Sequence, residues 1–201
     1  NVVFMGMGEP LDNYNNVLSA LEVLTSPWGM AWSPTRITLS TAGITPRLEQ
    51  LIEATKVHIA VSLHNPFHDQ RAEIMPVEKA YPIRELTDML RRHDFSGQRR
   101  LSFEYILMEG LNDTAAHIRE LRRLLNGLNC RINIIRFHRI PDSPYFSPPR
   151  QKMEAFRDRL TAGGIHTTIR ASRGEDIQAA CGLLSTAEQM ARSGLSAPKE
   201  E

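Results

Sequence analysis

Apolar residues along the chain follow two alternating periods. Short continuous runs rich in Val, Ile, Leu and Phe read as strands: Val2-Val3-Phe4-Met5, then 36–40, 57–63, 101–107, 132–137 and 165–170. The first is uninterrupted, the mark of a strand buried on both faces. Between the runs, apolar positions recur at helical spacing. Val17, Leu18, Leu21 and Leu24 form one stripe over 14–24, with Asp12 or Asn13 as cap. A short helix over 46–54 opens on Pro46. Ile83, Leu86, Met89 and Leu90 face inward over 82–93; Ile118, Leu121, Leu124 and Leu125 do so over 115–126, capped by Asn112 or Asp113. Met153, Phe156 and Leu160 line a helix over 150–162 that ends at Gly163-Gly164. The stretches 25–34 and 141–149 are proline-rich loops, and 67–81 is irregular with a helical turn. A loop with a helical turn over 172–184 gives way to a polar, frayed tail. Strands alternating with helices imply βαβ units, a parallel sheet and right-handed connections. A partial or complete barrel, or a doubly wound sheet, satisfies that order.

Composition changes this picture little. Hydrophobic residues are 41% and charged residues 23%, ordinary for a soluble globular domain. A net charge of +1 gives no overall electrostatic case for nucleic acid, so any such case rests on local patches. No apolar run is long enough to span a membrane. The two cysteines, Cys130 and Cys181, are too few for a disulfide framework or a four-thiolate cluster, and a reducing cytoplasmic setting is the default. The chain opens on Asn1, directly into a strand pattern, which reads as the C-terminal part of a longer protein with an unpaired sheet edge at its first strand.

The polar residues that could carry chemistry share one address. Glu9, Ser40, Ser62, His64 and His138 each lie at or just past the carboxyl end of an expected strand, where α/β enzymes hold ligands. Glu9 follows Gly6 and Gly8, whose bare backbone allows a sharp turn and close ligand approach, and precedes Pro10. A carboxylate there suits a ligand with an ammonium group. Taken singly, Ser40 and Ser62 fit turn residues better than functional ones, His64 before Asn-Pro fits a loop cap, and His138, among arginines, a solvated surface. Glu104, inside a strand, either points to the interior or pairs with an Arg. Arg136, Arg139, Arg170 and Arg173, near Phe137, Tyr145 and Phe146, suit phosphates and unstacked bases, or a solvated rim. Cys181, between small residues and near Arg170 and Arg173, is a candidate reactive thiol; Cys130 reads as a buried small hydrophobe.

The segments M-G-M-G-E-P-L, T-L-S-T-A-G-I, S-L-H-N-P, I-N-I-I and R-G-E-D-I-Q-A-A-C-G-L-L occur in the order and approximate spacing of the RlmN/Cfr family of radical S-adenosylmethionine RNA methyltransferases, which the chain resembles to about Leu184. The resemblance implies a partial (β/α) TIM-like barrel lacking its first strand and cluster loop, over 1–184, with a methyl-carrier loop and a disordered tail over 185–201. It implies that Gly8 and Glu9 hold the amino end of S-adenosylmethionine, that Ser40, Ser62, Leu63 and His64 complete the pocket, and that Cys181 carries the methyl group. A second S-adenosylmethionine, cleaved at a [4Fe-4S] cluster, would supply the radical that activates that methyl for addition to adenine. RlmN-type members methylate C2 of an unstacked adenine in 23S rRNA and some tRNA; Cfr-type members methylate C8. Two departures stand out. The cluster cysteines, spaced C-x3-C-x2-C, and the second catalytic Cys have no counterpart and belong upstream of Asn1, so this chain contributes no metal ligand. His138 occupies the position of a family Asn that contacts the cosubstrate. A flavodoxin or ferredoxin electron donor, a cytoplasmic location and a monomer follow from the same likeness. Another radical enzyme sharing the Gly-Glu turn, or a noncatalytic RNA-binding module, are the alternatives.

Overall fold

The computed structural model describes residues 1–6, 8–96, 99–138 and 143–170. The expected carrier loop, with Cys181, lies outside the described residues, as does the tail. Six strands are found among the described residues: β1 (Val2–Phe4), β2 (Ile37–Thr41), β3 (His58–Ser62), β4 (Leu101–Leu107), β5 (Arg131–Arg136) and β6 (His166–Ile169). They form one parallel sheet in the order β1-β2-β3-β4-β5-β6. Each strand pairs with its successor in sequence, so the winding never reverses. A doubly wound sheet requires such a reversal. The arrangement is therefore that of a partial barrel.

Among the described residues, six α-helices lie between the strands: α1 (Tyr14–Thr25), α2 (Thr45–Ala54), α3 (His68–Ile74), α4 (Ile83–Leu90), α5 (Ala115–Leu124) and α6 (Arg150–Ala162). The helical stripes bury as their spacing requires, with Ile83, Leu86, Met89 and Leu90 of α4 and Met153, Phe156 and Leu160 of α6 all in the core. They pack on the outward row of the sheet: Ile37 and Leu39, Ile59 and Val61, Leu101, Phe103, Tyr105 and Leu107, Ile132 and Ile134. Tyr105, buried with its hydroxyl donating to Asn112 O at 2.8 Å, stacks on Phe156 of α6 at 5.8 Å between ring centres.

Four local expectations need correction. β1 is not buried on both faces: Val3 is 54% exposed, because β1 has a strand neighbour on one side only within the described sheet and its inner face opens on a cleft. The cap of α5 is Thr114, not Asn112 or Asp113. Asn112 is instead wholly buried and committed elsewhere. Asn13 stands at the α1 cap position but bonds Asn16 rather than the helix backbone. The stretch expected to be irregular contains α3 and a 3₁₀ turn, Pro76–Lys79. Its apolar stripe is missing because its inward side chain is Arg71.

Candidate functional site

The inward row of the sheet differs from the outward one. It carries Thr38 and Ser40, His58 and Ser62, Ser102, Glu104 and Ile106, Arg131, Asn133 and Ile135, Thr168 and Arg170, which line two clefts. A closed barrel fills this space with branched apolar side chains. Here it is polar and open. The upper cleft, about 350 Å³, lies at the carboxyl ends of the strands and takes residues from the end of every one, from Gly6, Gly8 and Glu9 after β1 to Arg170 after β6. That volume falls within the range of small-molecule sites.

Glu9 is held by two backbone donors. Its Oε1 accepts from Leu11 N at 3.0 Å, and its Oε2 from Ala42 N at 2.6 Å. The second bond ties the β1 turn to the end of β2. A carboxylate has further lone pairs to offer after those two bonds. Gly8 adopts φ +88°, and a Cβ at Gly6 or Gly8 would meet nothing within 4 Å, so bare, accessible backbone lies beside the carboxylate.

The β3 end is fixed from behind. Leu63 N donates to Glu104 O at 3.0 Å and Leu63 O accepts from Arg71, while the side chain is buried in the core, so Leu63, expected in the pocket, does not line the cleft. His64 sits in the left-handed region at φ +53°. Asn112 holds it there: its Nδ2 donates to His64 O and to Ile106 O, both at 2.7 Å, and its Oδ1 accepts from Met108 N at 2.8 Å. His64 Nδ1 accepts from Ile106 N at 3.1 Å, so the neutral ring carries its proton on Nε2. Burial, and secondarily the charge of Arg71, push the His64 pKa down to about 4. A His whose folded pKa lies below its unfolded value binds its proton first in the unfolded chain. Stability is therefore retained above about pH 6.5 and lost as pH falls toward about 4, by up to about 3 kcal/mol. Urea midpoints measured across that window should show the slope, and His64→Asn, which tolerates the same backbone, should flatten it.

Arg71 organises the rim from beneath. It is fully buried, its Nε donates to Leu63 O at 3.0 Å, and its Nη2 donates to Ser62 O at 2.8 Å and Ala42 O at 3.1 Å. Its Nη1 pairs with Glu78, which also accepts from Ile83 N at 3.0 Å and bonds His68 Nδ1 at 2.8 Å. Burial lowers the guanidinium's pKa, and Glu78 opposes that shift.

Of the residues expected at the site, Gly8, Glu9, Ser40, Ser62 and His64 meet around one cleft. His138 follows β5 and does not line it. Sequence reasoning missed Arg71, Asn112 and Asn133. A period-two row of polar residues through the strands was the available signal for Asn133. Cys130 is packed against the core, with burial pushing its thiol up to about 12, as a small hydrophobe would be.

The family model of the radical SAM superfamily matches residues 1–125. The chain belongs to the radical SAM superfamily. It is 56% identical over 94% of its length to a Bacteroides fragilis protein named "Probable dual-specificity RNA methyltransferase RlmN", and 46% identical over 92% to the "Dual-specificity RNA methyltransferase RlmN" of Syntrophus aciditrophicus. It covers 55% and 53% of those relatives, so it spans about half the length of the curated proteins it matches. The crystal structure of a radical SAM methyltransferase from Sphaerobacter thermophilus aligns over 91% of this chain and 54% of that one, at a TM-score of 0.84 and 42% identity. A domain of the pyruvate-formate lyase-activating enzyme of Bacteroides vulgatus, at 16% identity and a TM-score of 0.65, shares the fold. The resemblance to RlmN proteins is thus borne out across nearly the whole chain.

Radical SAM proteins use S-adenosylmethionine with a [4Fe-4S] cluster. The cleft fits the first: bare backbone at Gly6 and Gly8, a clamped carboxylate, two hydroxyls and two isoleucine walls suit an ammonium, a ribose and a flat base. The second is not accommodated by these residues. No metal-binding group of His, Cys, Asp and Glu is found among the described residues, and two cysteines cannot supply a Cys-ligated cluster.

Proposed function

We propose that this chain is the cosubstrate-binding and methyl-carrier part of a radical SAM methyltransferase that modifies C2 of an adenine in 23S rRNA and tRNA. The observation that carries the reading is the clamped Glu9 beside open glycine backbone, at the mouth of a cleft to which every strand end contributes. When bound, S-adenosylmethionine supplies an activated methyl group and, after reductive cleavage, a 5′-deoxyadenosyl radical. The protein's part is to position it. Glu9 accepts hydrogen bonds from the ammonium end. Ser40, Ser62 and the Nε2–H of His64 offer polar contacts along the rim, and Ile106 and Ile135 flank the base. Cys181 would take the methyl as a thioether, with S-adenosylhomocysteine leaving. That carbon would add to the adenine ring only after losing a hydrogen atom to the 5′-deoxyadenosyl radical, the resolving Cys then displacing the Cys181 sulfur as a disulfide. The cluster ligands and the resolving Cys are supplied from outside this chain. A flavodoxin or ferredoxin donates electrons, and the enzyme works as a cytoplasmic monomer. No helix among the described residues is long and apolar enough to cross a membrane.

Peptide mass spectrometry of the intact, anaerobically purified protein tests this. A methyl group on the Cys181 peptide is expected, together with 2-methyladenosine in RNA from cells that make the protein. An unmodified Cys181 in cofactor-replete protein rejects the carrier role. Appearance of 8-methyladenosine instead would move the target to C8.

A further inference from the structure

Glu104 is a carboxylate 4% exposed in the middle of a parallel strand. One of its oxygens is well served. Oε1 accepts from Asn133 Nδ2 at 2.8 Å and from Ser102 Oγ at 3.3 Å. Asn133 is oriented in turn, because its Oδ1 accepts from Thr168 Oγ1 at 2.9 Å. A relay thus runs inward from β6 through β5 to β4, in register along the Glu104–Asn133–Thr168 row. It fixes the carboxyl group by one oxygen. The other, Oε2, has no hydrogen-bond partner and is among the few such buried side-chain atoms of the described residues. A buried orphan oxygen is costly unless a donor arrives.

The surroundings say what kind of donor. Glu104 lines both clefts and so stands where the upper one deepens into the lower. Two residues further along the same inward row is Ile106, opposite Ile135, the apolar pair that suits a base. Ser62, which pairs with Glu104 across the ladder, stands on its other side. Glu9, at the far edge on the β1 turn, already provides for an ammonium group. For a nucleoside whose base rests against Ile106 and Ile135, Glu104 and Ser62 are the adjacent polar side chains of the same inward face that can serve its sugar. Burial raises the pKa of the carboxyl group, opposed by Asn133, by the charge of Arg170 and by Ser102. Either protonation state leaves an oxygen able to accept from a hydroxyl.

We infer that Glu104 is a ribose-reading residue: its free oxygen accepts a hydrogen bond from a sugar hydroxyl of the adenosyl cosubstrate. Acidic residues serve adenosine riboses in this way in dinucleotide-binding folds. The inference rests on the adenosyl cosubstrate proposed above and adds a determinant for its sugar. It also gives Asn133 and Thr168 a task, as positioning residues that act through Glu104.

Calorimetric titration of the intact protein with S-adenosylhomocysteine and with its 2′-deoxy and 3′-deoxy counterparts tests this without turnover. The unaltered protein should prefer the ribo compound over one deoxy form by about tenfold or more. Glu104→Gln should weaken ribo binding and shrink that preference at least severalfold. Asn133→Ala, which loosens the carboxylate but leaves it in place, should shrink it in part. Circular dichroism melts confirm that each variant is folded, and the near-isosteric Gln provides the reading if Ala does not fold. Full ribo affinity and preference in folded Glu104→Gln would overturn the inference and leave the cosubstrate proposal standing. Failure of the unaltered protein to bind S-adenosylhomocysteine at all would overturn both.

Discussion

Replacing Arg71 with Met is expected to remove about 3–5 kcal/mol of folding stability, seen as a shift in the urea midpoint of the intact protein. The side chain of α3 is wholly buried and paired with Glu78, itself buried. Without the guanidinium, an ionised carboxylate is left uncompensated in the interior, the costly way to break such a pair. Three carbonyls, of Ala42, Ser62 and Leu63, also lose their donor. These two losses can be separated. Adding Glu78→Gln to Arg71→Met removes the stranded charge while leaving an amide oxygen for Ile83 N–H. Much of the stability should return. Affinity for S-adenosylhomocysteine should stay depressed, because the β2 and β3 ends remain unclamped. A single variant less than about 1 kcal/mol weaker than the unaltered protein would show that the pair has little structural weight.

The same residue marks a boundary of what could be read from sequence. Strand and helix positions were legible wherever an apolar row had to be buried: β4 and α6 fall where their periods put them, and the α4 stripe is buried throughout. Glycine, proline and the polar ends of strands located the rim, because few residues permit a sharp turn after a strand. α3 was not legible, since its inward face is made by an arginine, and a charged residue does not announce burial. Nor was the task of Asn112, which looked like a helix cap but satisfies three backbone groups from β4 and the β3 end. Asx residues serve turns and caps equally, and only the fold decides which. Glu104 was visible as an oddity within a strand. Its relay to Asn133 and Thr168 depends on lateral register, which no single segment encodes.

Glu9→Gln and Glu9→Ala should divide the two tasks of that side chain. The carboxylate takes N–H donors from Leu11 and Ala42, thereby pinning the β1 turn to the end of β2. Alanine leaves both donors unserved and should cost about 1–3 kcal/mol of stability. Glutamine keeps one acceptor oxygen and should cost less than alanine, but its NH2 faces the second N–H and its charge is gone. If the carboxylate also meets the ammonium of an adenosyl cosubstrate, both variants should bind S-adenosylhomocysteine about a hundredfold more weakly, since a charge-assisted contact is lost in each. The informative comparison is therefore Gln, nearer to normal in its unfolding midpoint and as defective as Ala in binding. Were Gln to bind with unaltered affinity, Glu9 would be a clip between two strand ends and no more. The ammonium would then need another acceptor on the rim.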